Sequence, residues 1–194
     1  MVFAMTKASE ENLKTLLADL KHHALIRGKD IVLASGQKSD YYVNSKRITL
    51  HGERLLNLSH VIFDWLTSRG HAPSHLAGVS VGGDPIVSGV ALVAAQKKVP
   101  MSVLLVRKEK KAHGATTGKA VEGDDPQHVK SCWLLEDVVS TGGSSLKAAK
   151  FLAEEGYRLD GILCLLDREM GGVEHLSAEL GIPVHALFRV KDVL

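Results

Sequence analysis

The sequence predicts an α/β fold in which a central, mostly parallel sheet is flanked by helices. Two observations support this prediction: from Leu76 onward, short apolar runs alternate with segments of helical period, and glycine-bearing turns separate several of them. Strands that alternate with helices form βαβ units, in which the strands run parallel and the helices cover both faces of the sheet. The chain has 194 residues, so we expect a single domain spanning residues 1–194.

The composition is that of an ordinary globular protein, and it excludes several classes of function. Apolar residues make up 45% of the chain and the formal net charge is only +2, so the chain has no global basic field that would attract nucleic acid. Cys132 and Cys164 both lie in apolar runs, which favours buried, reduced thiols and a cytoplasmic location. No run approaches the roughly 18 apolar residues that span a bilayer. We therefore expect neither a nucleic-acid nor a membrane partner.

The N-terminal part is predicted to contain a helix, a strand pair and a second helix. Leucines at helical spacing predict the first helix from about Ser9 to His22. Two β-rich runs around SGQKSD, within residues 31–50, predict the strand pair. The amphipathic segment from Arg54 to Arg69 predicts the second helix, which ends at Gly70.

From Leu76 onward, strands and helices are predicted in regular alternation. The predicted strands are LAGVSVGG, MSVLLVRKE, CWLLEDVV, GILCLLD and PVHALFRV, and the predicted helices are residues 85–97, 144–155 and 173–180. Parallel sheets bind their ligands at the carboxyl ends of the strands. The residues that directly follow these strands are therefore candidate site residues.

The polar segment from Lys108 to Lys130 interrupts this pattern because it shows no apolar periodicity. Structureless loops of this length are uncommon in compact domains, and they are usually active-site lids or disordered segments. The run GATTG inside the segment, together with a cluster of basic residues, favours a lid over a solvated charge patch. The basic residues are Arg107, Lys108, Lys110, Lys111 and His113.

The stretch LLEDVVSTGGSSL, residues 134–146, carries the strongest chemical signal. Its second half offers backbone amides and hydroxyls at the start of a predicted helix, which suits a phosphate monoester, although an ordinary strand–helix turn is an equal alternative by spacing alone. The preceding acids, Glu136 and Asp137, are good acceptors for a pair of vicinal hydroxyls. A ribose 5-phosphate carries both groups, so we infer that the acids and the turn bind two parts of one sugar phosphate.

Four motifs occur along the chain in the order LASGQKSDYYVN, VRKEKKAHG, LLEDVVSTGGSSL and LLDRE. Together they resemble the type I phosphoribosyltransferases and, among them, the orotate phosphoribosyltransferase family. LLEDVVSTGGSSL is similar to the family's phosphoribosyl-diphosphate signature, and VRKEKKAHG to its catalytic loop. LASGQKSDYYVN is similar to its N-terminal hood segment, and LLDRE to the strand whose arginine meets orotate. The resemblance covers nearly the whole chain. It implies the type I phosphoribosyltransferase fold, with a small N-terminal hood (about residues 1–50) and a long flexible catalytic loop (about residues 107–123).

The resemblance also implies a reaction and an assembly. The reaction is transfer of the phosphoribosyl group from 5-phosphoribosyl 1-diphosphate to orotate, which gives orotidine 5′-monophosphate and diphosphate in de novo pyrimidine biosynthesis. Mg²⁺ is the implied cofactor; we expect it to arrive with the substrate and to contact Asp137 only through water, without direct protein ligands. The implied assembly is a homodimer in which each catalytic loop serves the neighbouring site in trans.

Roles for individual residues follow from the same resemblance. The expected catalytic residues are Arg107, Lys111 and His113, and the expected orotate-binding residues are Tyr42, Val43, Ser140 and Arg168. The expected phosphoribosyl-diphosphate-binding residues are Arg107, Lys108, Lys111, His113, Glu136, Asp137, Val138, Val139, Ser140, Thr141, Gly142, Gly143 and Ser144.

The chain departs from the family pattern at two positions, and two alternative functions stay open. Many family members carry lysine where Ala34 stands and some where Gly82 stands, so the contacts of those lysines have no assigned replacement. A purine or uracil phosphoribosyltransferase is one alternative, against which the catalytic-loop motif and LLDRE argue. A non-catalytic regulator that senses phosphoribosyl diphosphate is the other, against which the intact cationic lid argues.

Overall fold

The structure is a computed structural model that describes residues 6–32, 38–110 and 118–194. The chain begins with helix α1 (Lys7–Asp19), whose N-cap Thr6 accepts a hydrogen bond from the Ser9 amide. A turn of π-helix (Leu20–Ala24) leads into the antiparallel strands β1 (Leu25–Val32) and β2 (Lys38–Val43), which form a separate two-stranded sheet. These elements confirm the predicted order of a helix followed by a strand pair.

The remaining elements build a six-stranded sheet between two layers of helices. The further helices are α2 (Lys46–Thr49), α3 (Gly52–Ser68), α4 (Gly83–Gln96), α5 (Gly143–Glu154), α6 (Gly172–Leu180) and α7 (Val190–Val193). The strands are β3 (His75–Val79), β4 (Ser102–Val106), β5 (Val121–Glu122), β6 (Cys132–Val139), β7 (Gly161–Asp167) and β8 (Val184–Arg189). Their spatial order is β5-β4-β3-β6-β7-β8, and every pairing is parallel except that of β4 with β5. The predicted mostly parallel sheet is confirmed.

Both faces of the sheet are buried, because helices cover each of them. Successive side chains of a strand point to opposite faces and therefore pack into different cores. In β6, Trp133 and Leu135 pack into a core with residues of α3 and α4, whereas Leu134 packs into a second core with residues of α5 and α6. Both thiols are free and buried, as predicted, and burial raises the pKa of Cys132 to about 12. No helix in the described ranges is long and apolar enough to cross a membrane.

The prediction of a structureless segment from Lys108 to Lys130 is wrong at its C-terminal end. Val121 and Glu122 form strand β5, which pairs with Val106 and Leu105, and residues 126–128 form a turn of 3-10 helix. The Glu155 carboxylate also accepts a hydrogen bond of 2.5 Å from the Ala120 amide. A strand of two residues is too short to show a periodicity in the sequence, and its pairing partner β4 and Glu155 lie elsewhere in the chain.

Candidate active site

The glycine turn after β6 forms a concave backbone cradle at the carboxyl end of the sheet. A cavity of about 240 Å³ is lined by the consecutive residues from Val138 to Ser145. Gly142 takes a φ of +82°, a left-handed conformation that side chains disfavour, and this lets the chain turn sharply into α5 at Gly143. Because the first amides of a helix have no partner within the helix, they are available to bind an anion.

A second cavity, of about 350 Å³, adjoins the cradle and contains the two acids. The two cavities share Val138 and Ser144 in their walls, so they lie side by side at the carboxyl end of β6. The second cavity is lined by Lys46, Val79, Ser80, Val81, Gly82, Lys108, Glu136, Asp137, Val138 and Ser144. The structure thus brings together Lys108, Glu136, Asp137 and the predicted phosphate-binding turn.

Glu136 is a buried carboxyl group with a hydroxyl partner. Its side chain is only 6% exposed, and Ser145 Oγ donates a hydrogen bond of 3.0 Å to its Oε2 atom. Burial and the neighbouring negative charge of Asp137 raise the pKa of Glu136 well above its ordinary value. The site therefore favours the protonated form of Glu136, which can both donate and accept a hydrogen bond.

Asp137 is held in place from three directions. Its Oδ2 atom accepts a hydrogen bond of 2.6 Å from Ser45 Oγ, and its Oδ1 atom accepts one of 2.9 Å from the Val138 amide. A Cβ atom at Gly82 would lie 2.5 Å from Oδ1, so the carboxylate rests directly against the glycine backbone. This contact explains why a side chain such as lysine does not fit at position 82 beside this placement of Asp137.

The raised pKa of Glu136 predicts that Glu136→Gln stabilises the protein at neutral pH. In the folded state the Glu136 carboxyl group stays protonated at pH values above its ordinary pKa of 4.5. The stability of the unaltered protein therefore falls as pH rises from 4.5 through the folded-state pKa. The glutamine keeps an acceptor for Ser145 but cannot ionise. We expect the free energy of unfolding to rise at neutral pH by about 0.5–2 kcal/mol, the range that single stabilising replacements commonly give.

Denaturant unfolding at several pH values checks this expectation. The advantage of Glu136→Gln should vanish below pH 4.5, where the carboxyl group is protonated in both states. Glu179→Gln removes an exposed carboxylate of α6 and serves as the control. A pH-independent difference, or one shared by the control, would contradict the assignment of a buried, protonated Glu136.

The predicted catalytic loop is only partly within the described residues. Arg107 Nε lies 3.2 Å from Glu122 Oε1, and Lys108 lines the cavity that holds the two acids. Lys111 and His113 lie outside the described residues, as does Ala34. Arg107 and Lys108 also line a further cavity together with Gly143 and Ser144 of the glycine turn, so both of these predicted loop cations lie beside the cradle.

Arg168 follows β7 and lies beside the hairpin formed by β1 and β2, which we call the hood hairpin. Its amide donates a hydrogen bond of 2.9 Å to the Val139 carbonyl, which fixes its backbone next to the cradle. Its guanidinium carbon lies 5.8 Å from the centroid of the Tyr41 ring, and its buried Nε atom has no hydrogen-bond partner among the described residues. The aromatic residue facing Arg168 is thus Tyr41, whereas Tyr42 is 39% exposed and Val43 is buried in the core.

Sequence reasoning did not identify three residues at this site: Tyr41, Ser45 and Lys46. Ser45 and Lys46 follow the recognised hood motif directly but have no chemical signature of their own. Tyr41 and Tyr42 are adjacent, and the strand pleat allows only one of the two rings to turn toward Arg168. Strand alternation in β2 was the one available signal for that choice.

Comparison with known proteins identifies relatives of the chain. No protein-family model matches the chain. It is 37% identical to the orotate phosphoribosyltransferase of Nostoc sp. over 96% of this chain and 87% of that protein. It is 38% identical to the orotate phosphoribosyltransferase of Synechocystis sp. over 92% of this chain and 86% of that protein.

The fold agrees with that of a solved structure of an orotate phosphoribosyltransferase. A crystal structure of Mycobacterium tuberculosis orotate phosphoribosyltransferase superimposes with a TM-score of 0.77, covering 94% of this chain and 98% of the other, at 24% identity. This likeness confirms the expected type I phosphoribosyltransferase fold. With the sequence identity to the two cyanobacterial enzymes and the cradle, acid pair and arginine in place, the chain belongs to the orotate phosphoribosyltransferase family.

Proposed function

We propose that the protein transfers the phosphoribosyl group of 5-phosphoribosyl 1-diphosphate to orotate, giving orotidine 5′-monophosphate and diphosphate. The observation that carries this proposal is that the cradle and the cavity that contains Glu136 and Asp137 share part of their walls. One sugar phosphate can place its phosphate in the first and its hydroxyls in the second. The names of the cyanobacterial relatives support orotate as the acceptor, and the reaction belongs to de novo pyrimidine biosynthesis. A cytoplasmic location is proposed with it, from the reduced, buried cysteines.

The charges around the site match the charges that develop during this reaction. Breaking the anomeric C–O bond leaves positive charge on the ribose and negative charge on the departing diphosphate. Asp137 lies where a carboxylate favours the cationic sugar. Arg107 and Lys108, together with Lys111 and His113 of the proposed catalytic loop, supply cations for the diphosphate, and closure of the loop would exclude water.

Arg168 is the proposed orotate-binding residue. The orotate ring carries a carboxylate and an imide edge, and a guanidinium group can donate two parallel hydrogen bonds to either. The unpartnered, buried Nε atom of Arg168 is a donor suited to this contact, and the adjacent Tyr41 ring limits its orientation. Ser140, Tyr42 and Val43 are proposed to complete the pocket.

We expect Arg168→Ala to raise the KM for orotate about 10- to 100-fold, because a charge-assisted hydrogen bond contributes roughly 1.5–3 kcal/mol. Binding of 5-phosphoribosyl 1-diphosphate in the absence of orotate should change little, which calorimetry measures. Arg168→Lys is the matched variant: it keeps the charge and loses the planar fork, so it should recover only part of the orotate affinity. Equal weakening of both ligands would point to a structural role for Arg168.

Mg²⁺ is the proposed cofactor, and it is expected to enter with the diphosphate substrate. The Asp137 carboxylate supplies hard oxygen donors of the kind that Mg²⁺ prefers, and the ion usually keeps several waters. Asp137 would therefore orient the ion through water. When bound, Mg²⁺ neutralises part of the diphosphate charge.

A homodimer with catalytic loops shared in trans is the proposed assembly. A closed two-fold dimer is the commonest oligomer of soluble proteins, and the family resemblance implies it. Sedimentation equilibrium of the purified protein tests the assembly. A monomer mass under assay conditions would contradict it.

A direct assay tests the proposed function. Orotate absorbs in the ultraviolet, so its consumption in the presence of 5-phosphoribosyl 1-diphosphate and Mg²⁺ can be followed continuously. Uracil and purine bases, added in competition, should not be consumed. Absence of orotate turnover would overturn the proposal, and turnover of another base would assign the chain to a different phosphoribosyltransferase activity.

A further inference from the structure

Lys46 is a cation of the acid-containing cavity with no role assigned so far. Among the described residues that line this cavity, the cations are Lys46 and Lys108. We propose that the Lys46 ammonium group binds the diphosphate end of 5-phosphoribosyl 1-diphosphate, together with Lys108. This inference rests on the proposed function, because its ligand is the proposed substrate.

The backbone of Lys46 is fixed beside the acid pair. The preceding Ser45 is only 5% exposed and donates its 2.6 Å hydrogen bond to Asp137. The Ser45 carbonyl accepts hydrogen bonds of 2.8 Å from the Ile48 amide and 2.9 Å from the Thr49 amide, and both of those residues are buried. Only the exposed side chain of Lys46 is therefore free to adjust to a ligand.

The remaining walls of the cavity show why a cation is needed at this position. With the 5-phosphate in the cradle and the hydroxyls on Glu136 and Asp137, the part of the cavity left for the diphosphate is bounded by Lys46, Lys108 and residues 80–82. Diphosphate is strongly anionic and would lie close to the Asp137 carboxylate. Like charges at such short range are costly unless cations lie among them.

The loop after β3 supplies no cationic side chain to this part of the cavity. It contributes Ser80, Val81 and Gly82, and the contact of Gly82 with the Asp137 carboxylate leaves no room for a Cβ atom there. A cation must therefore reach the diphosphate from another element. Lys46 is placed to do so: its ammonium group carries three donors on a flexible stem.

Calorimetric binding of two ligands tests the proposal without orotate or turnover. The ligands are diphosphate, measured with Mg²⁺, and ribose 5-phosphate, which lacks the diphosphate end. Lys46→Ala should weaken diphosphate binding about 10-fold or more, as expected for loss of a charge-assisted hydrogen bond, and should leave ribose 5-phosphate binding unchanged. Lys46→Arg should restore most of the diphosphate affinity. Arg47→Ala, which removes the same charge from the adjacent exposed residue, should leave both affinities unchanged.

Several results would overturn the proposal. Diphosphate binding by Lys46→Ala that equals binding by the unaltered protein would remove Lys46 from the site. Equal losses for the two ligands would show that Lys46 supports the whole site, and an equal loss in Arg47→Ala would show only general charge attraction. Absence of diphosphate binding by the unaltered protein would also overturn it. Diphosphate binding without orotate turnover would count against the proposed function alone.

Discussion

Replacing both acids, by Glu136→Gln with Asp137→Asn, is expected to lower kcat/KM for 5-phosphoribosyl 1-diphosphate by about 30- to 2000-fold. The hydrogen bond between the Asp137 carboxylate and a ribose hydroxyl is charge-assisted and contributes roughly 1.5–3 kcal/mol, whereas the bond made by the protonated Glu136 is neutral and contributes about 0.5–1.5 kcal/mol; about 1.4 kcal/mol corresponds to a factor of ten. Asp137→Asn alone should lower kcat/KM by about 10- to 100-fold. Steady-state kinetics at saturating orotate measures these effects.

The protein should remain folded in this double variant, because both replacements keep the shape of the side chain and an acceptor oxygen. Thermal unfolding checks this point separately from activity. The matched control is Glu10→Gln with Glu11→Gln, two adjacent exposed acids of α1, which should leave the kinetic constants unchanged. Unchanged constants in the Glu136–Asp137 variant would refute the role of the acid pair.

Gly172→Ala is expected to distort the phosphate-binding cradle, because Gly172 packs directly against the backbone of that turn. A Cβ atom at Gly172, the first residue of α6, would collide with the Ser140 carbonyl oxygen and would lie 2.8 Å from both the Gly142 amide nitrogen and the Val139 side chain. Backbone atoms of the cradle would have to move. Misplacement of a binding group by about 1 Å can cost 100-fold in rate, and overpacking typically costs about 1–3 kcal/mol in stability.

We therefore expect Gly172→Ala to lower kcat/KM about 100-fold and the unfolding temperature by roughly 2–12 °C. Kinetics and a thermal melt measure the two effects. Gly52→Ala is the control, because a Cβ atom at this first residue of α3 meets nothing within 4 Å. Equal behaviour of the two variants would show that α6 does not support the cradle.

The parts of the fold that could be predicted from sequence are those with a strong local pattern. Strand β6 and helix α5 were recognised because a mostly apolar run, a glycine turn and an amphipathic segment follow one another from Cys132 to Glu154. The site was recognised for a similar reason, since the acids and the phosphate-binding turn are contiguous in the chain. Because these residues are neighbours in the chain, the same short stretch determines their geometry and makes them recognisable in the sequence.

The parts that could not be predicted depend on contacts between distant residues. Ser45 and Asp137 are 92 positions apart, so nothing near Ser45 reveals that its hydroxyl holds an active-site carboxylate. Strand β5 exists because Val121 and Glu122 meet the edge of β4, which no local pattern encodes. The choice between Tyr41 and Tyr42 as the neighbour of Arg168 likewise depends on how the hood hairpin meets the sheet.

Strand β5 also limits how far the proposed catalytic loop can reach. The Arg107 amide donates a hydrogen bond of 2.8 Å to the Ala120 carbonyl, so the intervening chain leaves and re-enters the sheet at one point. Roughly 12 residues lie between these anchors, and an extended chain spans at most about 3.6 Å per residue. The midpoint of such a closed tether can lie only about 20 Å from the end of β4. Any neighbouring active site that the loop serves must therefore lie within that radius plus the length of one side chain, which confines the proposed dimer contact to the part of the surface around this edge.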